Sequence, residues 1–93
     1  MKTDNNFYKS FKERLKEGQE LPGDYIFKFI LKTDNQNIAK LQKIFDGSRP
    51  RFSSKTSKNG KYTSITAIVY VLDEDSVINF YKQAELIPDI IAL

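Results

Sequence analysis

Hydrophobic and polar residues follow two rhythms along this chain, and the switches between them divide it into elements. In 5–17, Phe7, Phe11 and Leu15 recur every four residues, with Tyr8 beside them and Lys9, Lys12, Arg14 and Lys16 elsewhere around the cylinder. That period predicts a helix with a narrow apolar stripe. Asp4 or Asn5 is placed to cap its start, and Gly18 to end it in a left-handed conformation. After Pro22-Gly23-Asp24, which reads as a turn, the period drops to two. Tyr25, Phe27, Phe29 and Leu31 then form the core face of a strand over 25–32, and Ile26, Lys28, Ile30 and Lys32 its other face. The two lysines assign that second face to water or to a partner.

Asp34 or Asn35 opens a second helix, in which Ile38, Leu41, Ile44 and Phe45 share one side and Asp46-Gly47 supplies the stop. Pro50 precedes an edge strand beginning near Arg51, where a missing backbone donor costs the ladder nothing. The stretch 53–72 reads as a hairpin turning at Lys58-Asn59-Gly60, with Asn-Gly expected to supply the positive φ of a tight turn. Its second strand presents Thr63, Ile65, Ala67, Val69 and Val71 inward and Tyr62, Ser64, Thr66, Ile68 and Tyr70 outward. Asp73, Glu74 and Asp75 suit the positive end of a helix dipole better than a metal ion, and Val77, Phe80, Tyr81 and Ala84 form that helix's covering stripe. Pro88 leads into a last short strand at 89–93.

After the first helix the order is strand, helix, strand, strand, helix, strand. This predicts an α+β, ferredoxin-like βαββαβ sandwich: a four-stranded antiparallel sheet with two helices on one face, plus an extra N-terminal helix. Residues 1–20 form a helical extension and 21–93 the ferredoxin-like domain. The second sheet face is expected to stay open.

Composition narrows the chemistry more than the fold. Ninety-three residues supply one core. The chain has no cysteine and no histidine, which removes disulfides, the common zinc ligand sets and the Ser-His-Asp and Cys-His arrangements together. No nucleophile stands beside an evident base, so neither enzymatic activity, a cofactor nor a metal is expected. A polar N-terminus and the lack of an apolar run of about 20 residues predict a cytoplasmic protein without a membrane partner.

At the hairpin, Ser57-Lys58-Asn59-Gly60-Lys61-Tyr62-Thr63-Ser64-Ile65-Thr66 resembles the YbeD-like bacterial proteins, a small family of unknown function. Leu21-Pro22 before a strand containing Lys28, and Ile87-Pro88-Asp89-Ile90-Ile91-Ala92-Leu93 at the C-terminus, extend the likeness over 21–93. The resemblance implies a ferredoxin-like fold akin to ACT regulatory domains, which bind small metabolites at subunit interfaces of larger enzymes. It implies a regulatory role and no established activity.

Two surfaces remain as candidates. The net charge of +3 is unevenly spread: Arg49, Arg51, Lys55, Lys58 and Lys61 lie within 48–61 without one acidic residue. These cations either guard an edge strand against aggregation or bind an anion, whether phosphate, nucleic acid or an acidic protein. The hairpin lacks the closely spaced aromatics of RNA-recognition modules, and Tyr62 and Tyr70 stand about 26 Å apart along an extended strand. The second surface is the open face, with Ile26, Lys28, Ile30, Ser64, Thr66, Ile68 and Tyr70. Either the N-terminal helix covers it, or it serves self-association or a protein partner. The sequence reading is thus a non-enzymatic regulatory or interaction module, with an anion or nucleic-acid binder as the alternative.

Overall fold

The computed structural model describes residues 5–18 and 20–93, with side chains from residue 9 onward. Its elements are α1 (Asn5–Gly18), β1 (Gly23–Lys32), α2 (Asn35–Ile44), β2 (Arg51–Thr56), β3 (Tyr62–Val71), α3 (Glu74–Ala84) and β4 (Ile91–Ala92), with a single 3-10 turn at Asp46–Ser48. The strands lie in the order β2-β3-β1-β4, and each neighbouring pair is antiparallel. This is the ferredoxin-like arrangement, with the two longest strands paired at its centre over ten residues.

Alternation along β1 and β3 divides the sheet into two faces. Phe27, Phe29 and Leu31 from β1, and Ile65, Ala67, Val69 and Val71 from β3, are buried beneath Leu41, Phe45, Val77, Tyr81 and Ala84 of the helical layer. Phe27 is the hub, its ring centroid 5.1 Å from those of Phe45 and Tyr81 and 5.5 Å from that of Phe80. Each such side chain contributes about 1.5–3 kcal/mol by leaving water. Thr63 is the one polar residue in this buried set. Its hydroxyl lies 2.8 Å from that of Thr33 and 3.3 Å from that of Thr56, which ties the chain beyond β1 to both hairpin strands.

The N-terminal helix docks on the helical layer rather than on the open face. Leu15 is buried in the core, Phe11 meets Tyr81 edge-on, and Lys12 Nζ lies 2.9 Å from Asp75 Oδ1 of α3. The side chains of Phe7 and Tyr8, and the capping role expected of Asp4, fall outside the described residues. Ile78, a position the α3 stripe omits, is also buried.

Several local expectations are corrected. Gly18 is the last residue of α1 and is not left-handed; after α2 the chain passes through the turn at Asp46–Ser48 to Arg49, which is left-handed at φ 50. Gly23 and Asp24 already belong to β1 instead of forming a turn. The hairpin is wider than a two-residue turn: Ser57 N donates to Tyr62 O, Gly60 N donates to Ser57 O, and Gly60 alone carries the positive φ, at 73. Asn59 contributes through its side chain, whose Oδ1 accepts from Ser57 Oγ and Lys61 N. The last strand shrinks to two residues because Asp89 turns left-handed at φ 58.

Candidate functional site

The register lays the open face out in rows. Ile26 of β1 stands opposite Ile68 of β3, which stands opposite Arg51 of β2. The next row is Lys28, Thr66 and Ser53, and the one after it is Ile30, Ser64 and Lys55. Tyr70 faces Asp24 at one end, and Tyr62 faces Lys32 at the other. Short hydroxyl side chains therefore form the floor, with larger apolar ones toward both ends. Ile26, Tyr62 and Tyr70 are each about half exposed, at 55%, 47% and 56%, and stand on one face of the sheet.

The structure brings together every sequence-predicted residue of this surface: Ile26, Lys28, Ile30, Ser64, Thr66, Ile68 and Tyr70. It adds two that the linear pattern did not assign. Ile91 of β4 pairs with Ile30, and Leu93 N, just past β4, donates to Lys28 O, so the C-terminal segment carries both side chains onto the same face. Alternation in 89–93 separates Ile91 and Leu93 from Ile90 and Ala92. Only the register against β1 decides which pair faces out.

The five cations do not form one cluster. Arg49 and Arg51 lie beside a cleft of about 600 Å³ at one end of the sheet, lined also by Asp24, Ser48, Tyr70, Ser76 and Phe80. Lys55 is four residues along β2 from Arg51, about 13 Å away, and borders a shallower hollow with Ile30 and Tyr62. Lys58 and Lys61 sit in the hairpin turn. Arg51 Nη2 lies 3.5 Å from Asp24 Oδ2, an exposed ion pair that bridges β1 and β2 across β3. The cleft was invisible to sequence reasoning because its walls come from β1, β2, β3, α3 and the turn after α2.

Titration shifts among the acids and phenols have structural causes. Asp73 caps α3, and its carboxyl is held below the ordinary range mainly by the backbone N–H of Ser76, then by the Ser76 hydroxyl. The Lys12 ammonium is raised, first by its hydrogen bond to Asp75 and then by that carboxylate's charge. Burial pushes the Tyr81 phenol well above its usual value, reinforced by the Tyr25 hydroxyl 3.3 Å away. Tyr81 is thereby fixed as a neutral core residue. Among the described residues no three His, Cys, Asp or Glu side chains gather as a metal site, and no helix is long and apolar enough to cross a membrane.

The strand order, the single helical layer and the uncovered sheet surface define a ferredoxin-like α+β protein. Residues 16–93 match the family described as protein of unknown function, DUF493, and the chain belongs to that family. The YbeD-like resemblance carried by the hairpin is consistent with this membership. No curated protein and no solved structure matches the chain significantly.

Proposed function

We propose that the chain is a small cytoplasmic, non-enzymatic regulatory module, resembling ACT domains in fold, that binds a protein through its open sheet face. The observation that carries this reading is the docking of α1 on α3: the helix that could have covered the face is engaged elsewhere, leaving Ile26 and Tyr70 more than half exposed. Apolar side chains held on a ten-residue strand pair form a rigid platform, and little ordering entropy is lost on docking. The absence of cysteine and histidine supports a binding role over catalysis.

The second reading, binding of an anion or nucleic acid along β2 and the hairpin, is favoured by the stretch from Arg49 to Lys61, which holds five cations and no acidic residue. Salt separates the two. Phosphate contacts weaken by about 0.7–0.9 log units per contact for each log unit of salt, whereas an apolar contact hardly responds. The test is capture of partners by the tagged protein at low and moderate salt, alongside Ile26→Glu and the double variant Arg51→Glu, Lys55→Glu. A protein partner retained at moderate salt and lost with Ile26→Glu supports the sheet-face reading. Nucleic acid lost with the charge-reversed variant supports the alternative.

A further inference from the structure

The outer edge of β2 combines three features: free hydrogen-bonding groups, an unbroken register and a single sign of charge. All six of its residues are exposed. Ser57 N donates to Tyr62 O, which makes that pair a hydrogen-bonded one, and the register continues without a bulge through Lys55↔Ser64, Ser53↔Thr66 and Arg51↔Ile68. Hydrogen-bonded and non-bonded pairs alternate in an antiparallel ladder, so the backbone N–H and C=O of Phe52, Ser54 and Thr56 point away from β3. They present the template that an added strand requires.

We infer that β2 accepts an acidic extended segment of a partner protein as a fifth, antiparallel strand. This rests on the reading of the chain as a protein-interaction module, and it names the partner's chemistry. Arg51 and Lys55 share the open face four residues apart, and the intervening position on that face is the small Ser53. An incoming antiparallel strand would set one residue opposite each cation, and a carboxylate fits both positions. On the other side of the sheet Phe52 is partly exposed, its ring 6.2 Å from Phe45, and offers an apolar contact to the residue opposite it. The recognised pattern is therefore acid-x-x-apolar-acid, with its last acid at Arg51 and its first at Lys55. Self-pairing of β2 is the less favourable use of this edge, because it would bring Arg51 and Lys55 of both copies onto one face of adjoining strands.

The experiment uses the full chain and a blocked peptide containing Glu-Thr-Thr-Val-Glu, with a peptide of the same composition in scrambled order and one with lysine for glutamate as controls. Binding is followed by fluorescence anisotropy and by amide hydrogen exchange. The ordered peptide is expected to bind at least tenfold more tightly than either control and to slow exchange at Phe52, Ser54 and Thr56 at least tenfold. Ser54→Pro removes an outward N–H while leaving every β2–β3 bond in place, so it should abolish binding without unfolding the sheet. Unchanged affinity in Ser54→Pro, or binding without protection of those amides, overturns strand addition. If Ile26→Glu alone removes the peptide, it sits on the open face: strand addition fails and the sheet-face reading stands. If no peptide binds while the captured partner still responds to Ile26→Glu, the outcome is the same.

Discussion

Phe11 of α1 meets Tyr81 of α3 edge-on, with ring centroids 5.4 Å apart and planes at 66°. The contact fixes which side of the sheet the N-terminal helix occupies, since Tyr81 is itself packed against Phe27 and Phe29 on the core face. Phe11→Ala should cost about 2 kcal/mol and Leu15→Ala about 2–3 kcal/mol in urea unfolding. Neither should change the exposure of Ile26 or Tyr70, read as binding of the partner to the open face. Improved or abolished partner binding in Phe11→Ala would mean that the helix and the face communicate.

Acid should weaken the α3 cap in a defined window. The Asp73 carboxyl is lowered in the folded chain relative to an ordinary value of 3.8, so the folded state binds the proton less readily than the unfolded state. The stabilisation is complete above the unfolded value and is lost as pH falls through the lowered folded one. Asp73→Asn keeps a capping oxygen and removes the titration. The expected result is a flatter dependence of the melting temperature below about pH 4. The Lys12–Asp75 pair has the opposite sign: the raised ammonium supports the fold below 10.5 and loses that contribution as pH rises through its folded value.

Two left-handed residues make opposite predictions. Gly60 sits at φ 73 in the hairpin, so Gly60→Ala should cost about 1–2 kcal/mol by forcing a Cβ into that conformation. Arg49 already bears the strain at φ 50, so Arg49→Gly should leave stability unchanged or improve it by up to about 1 kcal/mol. Chemical unfolding of the two variants side by side measures the contrast. Arg49→Gly also removes a cation from the cleft, so its effect on anion binding is read without a loss of fold.

The hydroxyl cluster at the hairpin end offers a milder test. Thr63→Val keeps the shape of a buried side chain but deprives Thr33 and Thr56 of a partner. Because both of those residues are exposed and water can replace the bond, the cost should be about 1 kcal/mol or less. Faster amide exchange should be confined to the Thr33, Thr56 and Thr63 neighbourhood.

The architecture was legible because its signals are local and redundant. The alternation in 25–32 and 62–71, Asp34 and Asp73 as caps, and the apolar stripes of α2 and α3 each assign an element unaided. Local chemistry misled where a residue's type was taken for its conformation. Gly18 looked like a left-handed stop, yet among the described residues the non-glycine positions that take that geometry are Arg49 and Asp89. The candidate surface was legible in its β1 and β3 members for the same reason as the fold. Ile91, Leu93 and the cleft beside Arg49 depend on long-range register and on the meeting of five segments, which no window of sequence contains.

The ion pair over β3 gives the β2 edge an internal rival for its ligand. Asp24 already holds Arg51 at 3.5 Å, so a carboxylate arriving from outside must displace one that the chain itself supplies. A neutral strand leaves the pair intact, and a weakly acidic one competes poorly. Only a segment whose charge and register both fit captures the guanidinium. Discrimination is then set by the competitor as much as by the arginine, and Asp24→Asn should make the edge more adhesive and less choosy.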